Sequence, residues 1–277
     1  MTIATTRTAP RPTMGALRQT LRLTRMEFTL FMRYKTAWLF LAMALFLIAV
    51  PLNTPGEEVF GGMASNELSA LGMMGSIAVI IGVGHPSNVF TARREALVLK
   101  RMRAGGVPSA ALFGAVTAIV AGFSLVIAAL GVGLMVSVGA GMPQDPVMLL
   151  FAVALSAVPM TFLGLLITPL ARNAESAQMA AMAPIMLLLF SGGVMPVGLF
   201  PDILHKIFSL LPSAATGQLI QAGYTGYDVF GGFEGASAVG PFELWVAALP
   251  SIGVLFAWTA VLGVAVHRWF KWDPRQA

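Results

Sequence analysis

The sequence predicts an all-α integral membrane protein of six transmembrane helices with both termini inside. Two observations carry this. The 277-residue chain is 57% hydrophobic and only 10% charged, with a mean hydropathy of +0.82, far outside the range of soluble domains. Its apolar residues also gather into six stretches long enough to cross about 30 Å of hydrocarbon: roughly 36–52, 68–90, 110–138, 147–170, 177–197 and 244–266. When the connecting segments alternate between the two sides, sixteen of the seventeen Lys and Arg residues fall on one side, and only Lys206 falls on the other. Basic residues resist translocation, so that side is the cytosol. Acids lean the opposite way: eight of the twelve, Glu57, Glu58, Glu67, Asp145, Asp202, Asp228, Glu234 and Glu243, fall in outside loops.

Residues 1–13, with Pro10 and Pro12, read as a flexible leader, and 14–277 as one membrane domain. Residues 14–34 hold no proline and suit a helix. At about 100° per residue, Arg18, Arg22, Arg25 and Arg33 fall within an arc of about 80°, beside a face carrying Leu17, Leu21, Phe28 and Phe31. Such a helix lies in the headgroup layer, with its apolar face in lipid and its arginines toward phosphate. Anionic lipids are therefore expected partners, and the net charge of +5 is assigned to them and not to nucleic acid. About 35 residues precede the first apolar run, and no signal peptide is expected.

The second cytosolic segment, Thr91 to Ser109, carries Arg93, Arg94, Glu95, Lys100, Arg101 and Arg103. Thr91 is expected to cap a short basic helix with Leu97, Leu99 and Met102 as apolar contacts. Gly105-Gly106 ends it, and Pro108 opens the third span. Its basic residues are either a docking knob for a cytosolic protein or charge that only orients the chain. Small residues recur at fourfold spacing on the second span (Gly72, Ser76, Gly84) and the third (Ala110, Gly114, Ala118, Gly122), where helix backbones can approach closely. Pro159, Pro169 and Pro184 can kink the fourth and fifth spans. Met73, Met74, Met160, Met179, Met182, Met186 and Met195 are either a pliable surface for bulky ligands or ordinary lipid-facing and core residues. Between the fifth and sixth spans, the apolar segments Ile203–Leu211 and Ala214–Ala222 are too short to cross, and they are either half-helices dipping back from the outer face or a simple amphipathic cover. Tyr224, Tyr227, Phe230 and Phe233 are placed at the outer interface.

The span interiors argue against several functions. None holds a charged residue, and His85 lies near the inner end of the second. Carriers driven by ion gradients need ionisable or strongly polar groups at mid-membrane. Lys35, Lys100, Lys206 and Lys271 all lack the glycine-rich lead-in of a phosphate-binding loop. Zero cysteines and three scattered histidines argue against a metal site, and Glu57-Glu58 has no histidine near it in sequence. Energy for uphill transport would have to enter through a partner.

The basic helix with Glu27 and Arg33 stands ahead of the first span. Arg93-Arg94-Glu95, then Leu99-Lys100-Arg101-Met102-Arg103-Ala104 and Val107-Pro108, stand between the second and third. Phe190-Ser191-Gly192-Gly193-Val194-Met195-Pro196 is followed by Leu211-Pro212-Ser213, and the chain ends on Arg268-Trp269-Phe270-Lys271-Trp272-Asp273. In this order the chain resembles the type-2 ATP-binding-cassette (ABC) permease family, the membrane halves of exporters that include the daunorubicin-resistance type. It departs at Gly105-Gly106, where relatives more often have Thr-Pro directly, which bears on the length of the short helix.

The resemblance implies that Arg93, Arg94, Glu95, Lys100, Arg101 and Arg103 meet a separate ATPase subunit as a coupling helix. Arg18, Arg22, Arg25, Glu27 and Arg33 would brace it, and Ser191, Gly192, Gly193, Pro196 and Pro212 would belong to an outer gate. It implies no catalytic residue and no cofactor in this chain, with ATP and Mg bound by the partner. It further implies a second permease, as a homodimer or with a paralogue, in a bacterial plasma membrane. The other classes open to the sequence are an ATP-independent channel or carrier and a membrane-embedded enzyme.

Overall fold

The computed structural model describes residues 16–33, 35–194, 207–233 and 235–273. Helix α1 (Ala16–Arg33) meets α2 (Lys35–Leu52) at a bend of 75°. A short hairpin, β1 (Glu58–Phe60) with β2 (Met63–Ala64), leads into α3 (Ser65–Glu95). Then come α4 (Val98–Ala104), α5 (Ser109–Ser137), α6 (Pro146–Ile167) and α7 (Ala174–Leu189), which runs into a π-helical turn, Phe190–Val194. Helix α8 (Pro212–Thr225), a second hairpin of β3 (Tyr227–Asp228) and β4 (Ser237–Ala238), and α9 (Pro241–Trp269) complete the order. Five helices are long and apolar enough to cross a membrane (α3, α5, α6, α7 with the start of its π turn, and α9), and the bent α1–α2 pair brings the number to six.

Local chemistry sets the ends. Asp145 accepts a 2.9 Å hydrogen bond from the Met148 amide, and Pro146 fills the first helical position of α6. Asn173 accepts from the Ser176 amide at 2.8 Å while the Ser176 hydroxyl accepts from the Asn173 amide at 3.0 Å, which closes the start of α7. Glu67 and Glu243 reach back to the Ala64 and Gly240 amides ahead of α3 and α9. Gly226, at φ 74°, supplies the left-handed residue that stops α8.

Helix α3 is the axis of the packing. It touches α2, α5, α6, α7 and α8, and most of its middle is buried. At 31 residues it is about 46 Å long, longer than the hydrocarbon is thick. Helix α8 sits among α3, α6 and α9. Its 14 residues reach about 21 Å, too short to cross, and most of its side chains are buried. It is a short helix, as the second apolar segment suggested; the first, 203–211, lies partly outside the described residues.

Three expectations are corrected. Thr91 does not cap a helix: nothing between Pro86 and Ala96 breaks the turn pattern, so α3 continues to Glu95 and Thr91 is buried within it. The short helix starts only at Val98, after Leu97 adopts a left-handed φ of 57°, the one non-glycine residue with positive φ among those described. Tyr224 is buried and not exposed, its hydroxyl donating to the Gly141 carbonyl of the outside α5–α6 loop at 2.7 Å. A buried phenol needs such a partner, which the α5–α6 loop supplies.

Candidate functional site

At the basic end of the bundle, two adjacent arginines leave the last turn of α3 in opposite directions. Arg93 forms a bidentate pair with Glu27 of α1, at 2.6 and 2.7 Å. Glu27 is 3% exposed and Arg93 15%, so this pair is largely removed from water. Arg94 is 2% exposed and donates to the Ala171 carbonyl in the turn between α6 and α7. One residue pair therefore ties α3 to the segments before and after it. Arg94 does not present its guanidinium to the surface, and in this it departs from the partner-facing role the sequence assigned.

Helix α4 hangs from this end by Leu99, which is fully buried with Phe90, Leu112 and Val266. Glu95, Lys100, Arg101 and Arg103 remain exposed on or beside it. Lys100 is 67% exposed and 3.7 Å from Asp273, a contact worth little in water. The chain's tail is fitted under the same helix. Phe270 and Trp272 pack with Phe90 and Phe113 at ring separations of 5.0–5.9 Å, and the Arg103 guanidinium lies 5.7 Å from the centre of Trp272. Sequence reading treated the aromatic tail only as a family-like ending. The Phe-rich inner ends of the second and third spans were the available signal for its docking.

On α1, Arg18, Arg22, Arg25 and Arg33 are exposed, as are Leu21 and Phe28, while Glu27 and Phe31 turn inward. The Phe31 ring meets His85 edge-on at 4.8 Å and Phe123 at 4.9 Å. Helix α1 lies along the small-residue stripe of α5: a Cβ on Gly114 would stand 3.5 Å from the Thr20 methyl. Only Gly114 of the stripe makes that close approach; Ala110, Ala118 and Gly122 remain exposed.

At the opposite end, the π turn crosses α3 and α8 at backbone distance. A Cβ on Gly192 would lie 3.0 Å from Ser76 Oγ, and one on Gly217 would lie 3.1 Å from the Gly192 carbonyl oxygen. Ser191 and Ser213 share a 2.6 Å hydroxyl hydrogen bond beside this crossing, and Pro212 opens α8 next to it. Gly193 lies in the same π turn; Pro196 falls outside the described residues. Single π turns in membrane and soluble helices often mark functional positions. Helix α8 is further tied down by Gln221 donating to the Leu68 carbonyl at 3.2 Å and Ser251 donating to Gln218 at 2.9 Å. Of the methionines, Met74 and Met160 are core, whereas Met179, Met182 and Met186 are exposed along α7. No cluster of three or more metal-ligating side chains occurs among the described residues.

No curated protein matches the chain. A family model described as ABC-2 family transporter protein matches residues 47–267, most of the sequence and every helix from the end of α2 to nearly the end of α9. With its multiple apolar helices and this match, the chain belongs to the ABC-2 transporter family and is a permease subunit of an ABC transporter.

Proposed function

We propose that the chain is the membrane half of an ATP-driven exporter, moving an amphipathic small molecule, drug or lipid-like substrate outward with a separate nucleotide-binding subunit. The observation that carries this reading is the reach of α3. Its basic end holds Arg93 and Arg94, and its other half presents Gly75 and Ser76 to the π turn and α8. A push on α4 or α1 from a closing ATPase pair passes through these clamps into one long buried helix that touches the gate. The exposed Glu95, Lys100, Arg101 and Arg103 are the surface offered to that ATPase, with α1 as brace. Arg93, Arg94 and Glu27 hold that surface in place. Ser191, Gly192, Gly193, Pro196 and Pro212 form the outer closure. ATP and Mg belong to the ATPase, and the chain itself performs no covalent chemistry. A second permease, identical or paralogous, completes the path across a bacterial plasma membrane; the exposed methionine face of α7 suits either substrate or that partner.

Reconstitution tests the reading. The chain alone in liposomes should neither hydrolyse ATP nor accumulate substrate on a proton gradient. Substrate-stimulated ATP hydrolysis should appear on adding the cognate nucleotide-binding subunit. Gradient-driven uptake by the chain alone would remove the exporter reading.

A further inference from the structure

Helices α1 and α5 meet at Thr20 and Gly114 and again at the Phe31–Phe123 pair, but on their outer side a Cβ on Gly122, two turns beyond Gly114, would meet nothing within 4 Å. The wedge between them is a groove of about 360 Å³, within the usual range of small-molecule sites. Its walls are apolar: Leu21 and Phe28 from α1, Ile119, Phe123 and Val126 from α5, with the edge-on Phe31–Phe123 pair in its floor. The lone charged group lining it is Arg25. Arg22 and Arg18 follow on the same exposed side of α1, and none of the three has an ion-pair partner among the described residues.

The level of the groove fits this composition. Helix α5 has 29 residues, about 43 Å, so its first turns stand outside the hydrocarbon. Gly122 lies 13 residues beyond Ser109, about 20 Å along the helix, where acyl chains have begun. A trough for hydrocarbon thus has uncompensated cations at its α1 rim. That order, anion first and chain second, is the chemistry of a lipid phosphodiester. A peptide helix seated there would leave the arginines facing no anion.

We propose that the groove seats one anionic phospholipid of the inner leaflet, its acyl chain along Ala118, Gly122 and Val126 and its phosphate at Arg25 and Arg22. The lipid would wedge α1 against α5 and make docking of α1 depend on the anionic content of the leaflet. This rests on the cytosolic placement of the N-terminus and not on the exporter reading, so either can fail without the other.

The test is native mass spectrometry of the full chain equilibrated with equal phosphatidylglycerol and phosphatidylcholine. One retained phosphatidylglycerol per chain, preferred over phosphatidylcholine, is expected. Arg25→Gln should weaken that retention about fivefold, the worth of one arginine near a charged membrane surface. Gly122→Leu, whose side chain enters open space, should lose the bound lipid whatever its headgroup, and Val126→Trp should do the same one turn further along α5. Arg172→Gln, exposed on another inner turn, should change nothing. Equal retention of both lipids, undiminished binding in the two filled variants, or an equal loss in Arg172→Gln would each overturn the proposal.

Discussion

Replacing Glu27 by alanine removes the acid of a bidentate pair whose members are 3% and 15% exposed. Arg93 is then left in a crevice shaped for a carboxylate, with only the face of Phe90, 5.8 Å away, beside it. Breaking a buried pair costs about 3–5 kcal/mol, and Arg93, slightly exposed, can recover some of that by reaching for headgroups, so about 3 kcal/mol is expected. At 1.4 kcal/mol per tenfold, the docked-to-free ratio of α1 falls by about two orders of magnitude. The chain has no cysteine, so an engineered pair is the only thiol chemistry present. Thr20→Cys with Gly114→Cys places thiols on the facing surfaces of α1 and α5, where a Gly114 Cβ would lie 3.5 Å from the Thr20 methyl, and its disulfide yield reads docking directly. Glu27→Ala should depress that yield and, in the assembled transporter, the coupling of ATP hydrolysis to transport. The charge-swapped double variant Glu27→Arg with Arg93→Glu should restore part of both. Unchanged disulfide yield and unchanged coupling in Glu27→Ala would refute the clamp.

The outer closure gives a second test: with the Ser191–Ser213 hydroxyls 2.6 Å apart, oxidised Ser191→Cys/Ser213→Cys should stop transport while the ATPase remains bound, and a reductant should restore it. Transport through the oxidised form would show that the crossing does not move. Arg101→Glu should impair coupling with normal folding because Arg101 is exposed, whereas Arg94→Glu buries a reversed charge and should lower thermal stability by about 3–5 kcal/mol, visible as poor yield and early melting. Gly217→Ala places a methyl 3.1 Å from the Gly192 carbonyl oxygen and should cost about 1–3 kcal/mol, read as a lower Tm. Reporters fused at Asn53 and Gly235 should report outside and those at Gly105 and Ala277 inside; a cytosolic Gly235 would overturn the arrangement.

The spans were legible in the sequence because hydropathy needs no knowledge of neighbours. Each of the six stretches has a helix at its place, shifted by a few residues where a cap lay outside the apolar run, as with Asn173 ahead of α7 and Asp145 ahead of α6. The destination of each charge was not legible. Counting arginines by side of the membrane treats Arg93, Arg94 and Arg101 as equivalent, and helical phase alone separates them. A helix that continues to Glu95 points Arg93 at α1 and Arg94 at the α6–α7 turn. The glycine crossing was partly legible. The spacing of Gly72, Ser76 and Gly84 marked a close-packed face on α3, but its partners on the π turn and α8 lie far away in sequence.

Helix α3 can carry a signal that α7 cannot. A helix transmits displacement only if both ends are held more tightly than its middle is free to bend. Helix α3 has the Glu27 and Ala171 clamps at one end and the Gly75 and Ser76 contacts nearer the other, with buried packing between. Both helices contain a proline, Pro86 in α3 and Pro184 in α7, but α7 buries only Ala177, Ala181 and Leu188 and ends in a π turn, so it yields where the buried α3 holds. A stiff rod against a compliant one concentrates motion at their contact, which is the Gly192–Ser76 crossing. Stiffening α7 by Pro184→Ala should therefore raise thermal stability by up to about 3 kcal/mol, the worth of a mid-helix proline, while slowing transport. Faster transport in that variant would mean that α7, not α3, drives the gate.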